Sequence, residues 1–323
     1  MIDFCDKPQH VLVTGGTGFI GPLLVNELLD GGHRVTLLTR HAERARALFT
    51  GRAQCLESLD ALADSSAVDV VVNLAGARIL GARWTHARQL ELLRSRVGLT
   101  QDLVAWIARA RPGPALLLSA SAIGYYGVQR AGDDSELAET SPPQQVFMSQ
   151  LCQQWEAAAA RAAEHGVRVA CLRFGLVLGH GGALPLMLLP IRLGLGGRLG
   201  SGRQWVSWIH VHDLLRAMAH VWRINAVSSD DATGTSPAEN SVQSYNFTAP
   251  QAVTQLQFNQ IAGRVLQRPV LLPMPGWPMR LALGEQSDLL LQGQRVAPVA
   301  LQQCGFEFEY PDLQAALADI CGT

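Results

Sequence analysis

The segment Gly15-Gly16-Thr17-Gly18-Phe19-Ile20-Gly21 directly follows the apolar run Val11 to Thr14 and precedes a helical pattern. Glycines in that spacing allow a tight turn, close approach of the backbone to a pyrophosphate, and close packing of helix on strand. The helix N-terminus that follows offers free N–H groups and the positive end of its dipole to phosphates. A dinucleotide is therefore the expected ligand, with Gly15, Thr17, Gly18, Phe19, Ile20 and Gly21 as its candidate contacts. The second apolar run ends Leu38-Thr39-Arg40-His41. An NAD site sets an acid there for the ribose 2′-hydroxyl, whereas a guanidinium suits a 2′-phosphate and can stack on adenine. Thr39 and Arg40 thus join the candidate contacts, and NADP is expected in preference to NAD.

Two later strand ends carry further groups. Asn73-Leu74-Ala75-Gly76 is placed to run beside the cofactor ribose, adding Leu74, Ala75 and Gly76. Ser119-Ala120-Ser121-Ala122-Ile123-Gly124-Tyr125-Tyr126-Gly127 brings hydroxyls and two phenols to the expected nicotinamide end. Ser119 is a candidate cofactor contact there, and Ser121, Tyr125 and Tyr126 are the candidate catalytic groups, a phenol donating a proton while Ser121 orients a carbonyl. Arg96 and Arg173 could supply a positive field, Arg96 being equally readable as a surface ion-pair partner. His210 and His212 flank Asp213 at an i, i+2 spacing that turns the two rings to opposite faces of an extended segment. A helix cap by Asp213 with one histidine packed in the interior is the better reading, and no metal site is expected. Cys152 lies on a pocket-facing helix, where a buried inert thiol is expected rather than a nucleophile.

Elements must hold these groups in register. Val11 to Thr14, Val35 to Thr39, Val68 to Asn73, Ala115 to Ser119 and Val167 to Arg173 read as strands. Ile20 to Leu29, Trp84 to Ala110 and Phe147 to His165 fit helices between them, with Gly31-Gly32 and Gly166 at helix C-caps. Alternation of this kind predicts an α/β fold: a doubly wound parallel sheet buried on both faces, with ligands at the carboxyl ends of the strands. After residue 174 the chain becomes Gly/Pro-rich, and residues 225–244 read as a flexible surface insertion. Phe258 to Leu266 and Leu313 to Ile320 look helical. The expected organisation is a nucleotide-binding domain over residues 1–174, a mixed region over 175–270 that returns to the sheet and lines a pocket, and a small C-terminal lobe over 271–323. Trp205, Trp208 and Trp277 are expected to line or roof that pocket.

With 48% hydrophobic and 16% charged residues and a net charge of -1 over 323 residues, the chain can bury a large core and lacks the basic footprint of a nucleic-acid binder. Six scattered cysteines form no zinc-ligand pattern, which fits a reduced compartment. The N-terminus lacks the pattern of a signal peptide, and Pro185, Pro190 and Arg192 interrupt the most apolar later stretch. A cytoplasmic protein with no membrane or nucleic-acid partner, acting on a small molecule, is expected. Lys7 is the single lysine, so no mechanism can draw on a lysine in the body of the fold.

These segments together resemble the extended short-chain dehydrogenase/reductase superfamily. Thr14 to Gly21 is similar to its T-G-x-x-G-x-x-G loop, Asn73 to Gly76 to its N-x-A-G element, and Ser119 to Gly127 to its serine-to-tyrosine strand end. Leu172 to Gly179 resembles the L-R-x-x-x-V-x-G segment, and Trp208-Ile209-His210-Val211-His212-Asp213 the F-I-H-V-x-D motif. Arg83-Trp84-Thr85, Arg94-Ser95-Arg96, Gly202-Arg203-Gln204-Trp205 and Gly293-Gln294-Arg295-Val296 narrow the likeness to an NAD(P)-dependent epimerase/dehydratase-like branch with a C-terminal domain of unknown function, here over residues 271–317. The resemblance implies a Rossmann sheet, a nicotinamide dinucleotide, and a homodimer paired through the helices near Trp84 to Ala110 and Phe147 to His165.

The resemblance also implies a Tyr-x-x-x-Lys pair, in which the lysine lowers the tyrosine pKa. The matching helix begins Phe147-Met148-Ser149-Gln150-Leu151-Cys152. One register places Phe147 and Leu151 at the pair and the other Met148 and Cys152, so neither supplies it. Two functions remain: an NADP(H)-dependent epimerase-like oxidoreductase with altered acid/base groups, or a non-catalytic NADP(H)-binding sensor or regulatory protein.

Overall fold

The computed structural model describes residues 1–79, 81, 83–227, 241–277, 281 and 284–322. Seven strands form one wholly parallel sheet: β1 (His10–Thr14), β2 (Arg34–Leu38), β3 (Gln54–Leu56), β4 (Val70–Asn73), β5 (Leu116–Ala122), β6 (Arg168–Phe174) and, much later, β10 (Val242–Phe247). Their spatial order is β10-β6-β5-β4-β1-β2-β3. The chain winds outward from β1 through β2 and β3, then crosses back to β4 and winds the other way. That reversal leaves a crevice between the ends of β1 and β4, the place where such sheets bind ligands.

Near-continuous Val/Leu runs make these strands, because both faces are covered. One face packs under α1 (Gly21–Asp30), α2 (Ala42–Leu48) and α7 (Val211–Val227), where Leu24, Leu28, Ala45, Met218 and Trp222 are buried. The other packs under α4 (Leu99–Arg109), where Leu103, Trp106 and Ile107 are buried. The five predicted strands and the helices Gly21–Asp30, α5 (Phe147–Ala160), α8 (Gln255–Val265) and Leu313–Cys321 lie where periodicity placed them, within a few residues. Among the described residues no helix is long and apolar enough to cross a membrane.

Three expectations need correction. The stretch 225–244, expected as a flexible insertion, is ordered at both ends, since α7 runs to Val227 and β10 begins at Val242; residues 228–240 lie outside those described. The stretch Trp84 to Ala110 is not one regular helix. It comprises α3 (His86–Leu93), a π-helical turn Arg94–Gly98, and α4. The third concerns Asp213, which lies inside the first turn of α7 rather than at its cap. Its carboxylate accepts the backbone N–H groups of Glu309 (3.0 Å) and Tyr310 (2.8 Å) and pairs with Arg216, tying the C-terminal segment to the sheet layer. His210 is buried and packs on Tyr310, with ring centroids 4.1 Å apart.

Smaller pairings complete the C-terminal half. β7 (Leu176–Leu178) pairs parallel with β9 (Trp208–His210), and β8 (Trp205–Val206) antiparallel with β11 (Val253–Thr254). Of the three tryptophans expected at a pocket, Trp208 is core, fully buried among Leu178, Leu188 of α6 (Leu184–Arg192) and Phe258. Trp277 is exposed and lines an open cleft of about 420 Å³ with Arg130, Gly200 and Leu291.

Candidate active site

The glycine loop is built by contacts that only glycine permits. Gly15 has φ +72°, and a Cβ there would stand 2.6 Å from the Leu74 carbonyl carbon and 2.7 Å from the Ala75 nitrogen. Gly21 is tighter still: its Cβ would meet Gly15 O at 2.3 Å and the Gly16 backbone at 2.6 Å. The loop therefore lies directly against the end of β4, with Gly18 N–H donating to Gly15 O at 3.0 Å. α1 starts without a side-chain cap and without an acid in its first turn. An N-terminus left so is electrostatically open to an anion. Phe19 turns its ring toward Gly179, Gly181 and Gly182, where Cβ atoms would come within 2.6–3.0 Å of the ring. Thr17 and Gly18 are exposed at the rim, while Ile20 packs partly into the core under α1.

Across the crevice, β1, β4 and β5 are in register through Thr14, Asn73 and Ser119. Thr14 Oγ1 donates to Asn73 Oδ1 (2.7 Å), and Asn73 Nδ2 donates to Thr100 Oγ1 (2.8 Å) and, at 3.4 Å, to Ser119 Oγ. Ser119 thus lies inside the sheet supporting Asn73, whereas Leu74 and Ala75 are half-buried and Gly76 is exposed in the groove. Thr100 Oγ1 also accepts from Trp155 Nε1 (3.0 Å) and donates to Arg96 O (2.7 Å). That bond to the carbonyl four residues back sits at the π-helical turn, a feature common at functional sites. Arg40 stands exposed after β2 with no ion-pair partner among the described residues, and the Thr39 N–H is fixed to Leu56 O at 2.9 Å.

Another register line, Ser121–Arg173–Asn246 across β5, β6 and β10, organises the candidate catalytic groups. Arg173, 4% exposed, makes two 2.8 Å bonds to the Glu156 carboxylate and donates to Tyr126 Oη at 2.9 Å. Tyr126, 1% exposed, donates in turn to Asn246 Oδ1 at 2.6 Å. Burial pushes its phenol pKa up, despite Arg173. Ser121 donates to Glu156 Oε1 at 2.6 Å. Both hydroxyl protons are therefore engaged inside the wall. Tyr125 differs: the Arg173 guanidinium lies over its ring, 3.6 Å from Cζ to centroid, it is half-buried, and its hydroxyl has no partner among the described residues.

Packing shows which face of α5 meets the strand ends. Met148 and Cys152 face the turn after β5, 3.4 and 3.7 Å from where a Cβ of Gly124 would be, while Phe147 meets Trp84 edge to face. Cys152 is buried, and burial is the largest influence raising its pKa to about 12. It is a neutral thiol at physiological pH, as expected for an inert core cysteine. Alkylation of the native protein at pH 8 should accordingly label the half-buried Cys5, Cys304 and Cys321 well before Cys152 and Cys171; peptide-mapped mass spectrometry showing early Cys152 labelling would contradict this. Sequence reasoning missed Glu156, the shared partner of Ser121 and Arg173. An acid one turn beyond Cys152, on the same face of α5, was the available signal.

Comparison with known proteins agrees with this geometry. The family model for the NAD dependent epimerase/dehydratase family matches residues 11–231, spanning the sheet from β1 to α7. The chain belongs to that family. A second model, a domain of unknown function called DUF1731, matches residues 274–320 of this family member. Among its relatives are the epimerase family protein SSP1921 of Staphylococcus saprophyticus, 38% identical over 97% of this chain and 99% of that one, and YfhF of Bacillus subtilis, 36% identical over 97% and 98%. A solved structure of human epimerase family protein SDR39U1 (isoform 2) with NADPH is 35% identical, with a TM-score of 0.83 over 97% of this chain and 99% of that one.

Proposed function

We propose that this epimerase-family chain binds NADP(H) across the crevice between β1 and β4 and serves as an oxidoreductase toward a small carbonyl or nucleotide-sugar substrate. The observation that carries the reading is the uncapped N-terminus of α1 behind a glycine loop pressed onto Leu74 and Ala75. That surface suits a pyrophosphate: the helix start has no side-chain cap and no acid in its first turn, leaving free N–H groups and the positive end of the dipole for an anion. Arg40, exposed and without an ion-pair partner among the described residues, would hold the 2′-phosphate. The human neighbour solved with NADPH supports the same choice of dinucleotide.

When bound, the nicotinamide supplies hydride transfer; the chain's share is to bind, orient and move a proton. Thr14, Asn73 and Thr100 hold the strand ends that face the cofactor. Tyr125 is the available proton donor, its ring oriented by Arg173, which Glu156 fixes from the other side. Ser121 and Tyr126 shape that wall through their bonds to Glu156 and Asn246.

Hydride transfer from NADPH across a panel of carbonyls and nucleotide sugars tests the reading, with Tyr125→Phe expected to reduce kcat more than KM. A second reading rests on the Met148 and Cys152 face of α5, which offers no acid/base pair beside Gly124: a non-catalytic NADP(H)-binding regulator. Tight NADPH binding with no turnover over the whole panel favours it. In either case Arg40→Asp should weaken NADPH by about tenfold to hundredfold, through loss of a charge-assisted bond and added repulsion. NADH should change by less than about threefold on the same scale. Equal losses in fluorescence titrations would remove Arg40 from the 2′-phosphate site.

A further inference from the structure

α6 is apolar on both of its sides. Leu184, Leu188 and Ile191 are buried with Trp208 and Phe258, whereas Leu186, Leu189 and the C-cap residue Leu193 are exposed, Leu186 at 72%. A helix that is apolar all round is ordinarily covered all round. The outward faces of α4 and α5 are polar by contrast, with Gln101, Asp102 and Arg109 exposed on one and Gln150, Gln154 and Arg161 on the other.

The bare face continues beyond α6. Exposed Leu195 leads into residues 196–200, and residues 270–276 lie alongside them: Leu272 N–H donates to Gly196 O at 3.1 Å, Met274 N–H to Arg198 O at 2.7 Å, and Gly200 N–H to Met274 O at 2.8 Å. That pairing carries Leu271, 80% exposed, and Leu272 to the same region. Trp277, also exposed, stands where it meets the open cleft beside Gly200.

Charge says what covers this face. Residues 166–212 and 240–284, which supply these segments, contain no Asp or Glu. Arg192, Arg198, Arg203, Arg264 and Arg268 are exposed, and none has an ion-pair partner among the described residues. A second copy docked face to face would set arginine against arginine with no acid between them. A protein partner takes its anchors into pockets, whereas Leu186 and Leu271 stand out from the surface. Protruding Leu, Met and Trp among arginines match the headgroup boundary of an anionic bilayer, where apolar side chains enter and guanidinium groups meet phosphate.

We propose that the outer face of α6, with residues 193–200 and 270–277, is a peripheral docking surface for anionic phospholipid membranes. The expectation of no membrane partner rested on the lack of a leader and of a spanning segment, and a chain that lies on a bilayer needs neither. The proposal is independent of the NADP(H) reading.

Flotation of the full chain with vesicles tests it, using phosphatidylcholine alone and phosphatidylcholine with about a third phosphatidylglycerol. Binding should be about tenfold or more stronger to the anionic vesicles and should fall as salt rises from about 0.1 to 0.5 M. Leu186→Gln/Leu189→Gln/Leu193→Gln and Arg192→Gln/Arg198→Gln/Arg268→Gln should each weaken it by about tenfold or more. Because all six side chains are exposed, thermal unfolding should match wild type and verify that both variants are folded. Vesicles with brominated acyl chains should quench wild-type tryptophan fluorescence, and Trp277→Phe should lose most of that quenching. No binding to anionic vesicles, equal binding to neutral ones, or full binding by either triple variant would each overturn the proposal. So would a wild-type dimer that the leucine variant converts to monomer, which would assign the face to a second copy.

Discussion

Glu156→Leu is expected to lower the unfolding free energy by about 3–5 kcal/mol, the cost typical of breaking a buried pair and leaving one charge unmatched. The reason lies in how much converges on this carboxylate. Arg173 holds it with two 2.8 Å bonds while only 4% exposed, and Ser121 donates to it at 2.6 Å. Without Glu156, the guanidinium would face Tyr126, the Glu139 carbonyl and the Tyr125 ring, none of which carries a compensating charge. Urea denaturation followed by circular dichroism measures the loss. The double variant Glu156→Leu/Arg173→Met should recover much of it, because two apolar side chains can replace a buried pair at small net cost. A single-variant loss below about 1 kcal/mol, the range of exposed pairs, would show that the pair is solvated and weak. The Tyr125 ring should also lose its orientation in Glu156→Leu, so any turnover would fall with the stability.

Gly21→Ala is expected to abolish dinucleotide binding, with NADPH affinity falling by about a hundredfold or more, equivalent to roughly 2.8 kcal/mol or greater. The added methyl would lie 2.3 Å from Gly15 O and 2.6 Å from the Gly16 backbone, so the loop has to lift from the start of α1. That displacement spreads the N–H groups that would face the pyrophosphate. Gly18→Ala provides the internal comparison. Its nearest obstacle is Gly15 O at 3.3 Å, a contact that a few tenths of an ångström relieve, so its loss should be several times smaller. Equilibrium titration reports both variants, with thermal unfolding as the check that each is folded. Equal affinities for Gly21→Ala and wild type would dissociate the loop from cofactor binding altogether.

The glycine loop and the inner strands were legible because their causes are local. Val11 to Thr14 and Val68 to Asn73 are apolar runs buried on both faces, and the loop's glycines follow directly in sequence. β10 was not legible as a strand. Val242-Gln-Ser-Tyr-Asn-Phe247 mixes polar residues into an edge strand, after a stretch rich in Ser, Thr and Asp that reads as loop. Its place in the sheet is decided by pairing with β6, more than 70 residues earlier. The π-helical turn was hidden for a related reason. The periodicity of Trp84 to Ala110 suits one helix, and the local departure at Arg94–Gly98 coincides with Thr100 Oγ1 bonding Arg96 O while Asn73 and Trp155 hold that hydroxyl. Ser121 and Tyr126 were legible as residues at the carboxyl end of β5. That their protons are already spoken for was not, since their acceptors, Glu156 and Asn246, lie 35 and 120 residues away.

One oxygen of Glu139 accepts from the backbone N–H of Asn246 at 2.9 Å and from that of Ala300 at 3.1 Å, across sequence separations of 107 and 161 residues. Its own carbonyl receives Arg173 Nη1 at 3.0 Å. Closing such distant partners on one side chain ties the timing of assembly to synthesis. While β1 to β6 can pair as they leave the ribosome, this carboxylate stays half-satisfied until Ala300 has emerged. The nascent chain therefore carries an unfinished wall around Arg173 for most of its translation, and the C-terminal segment acts as the last stave that closes it.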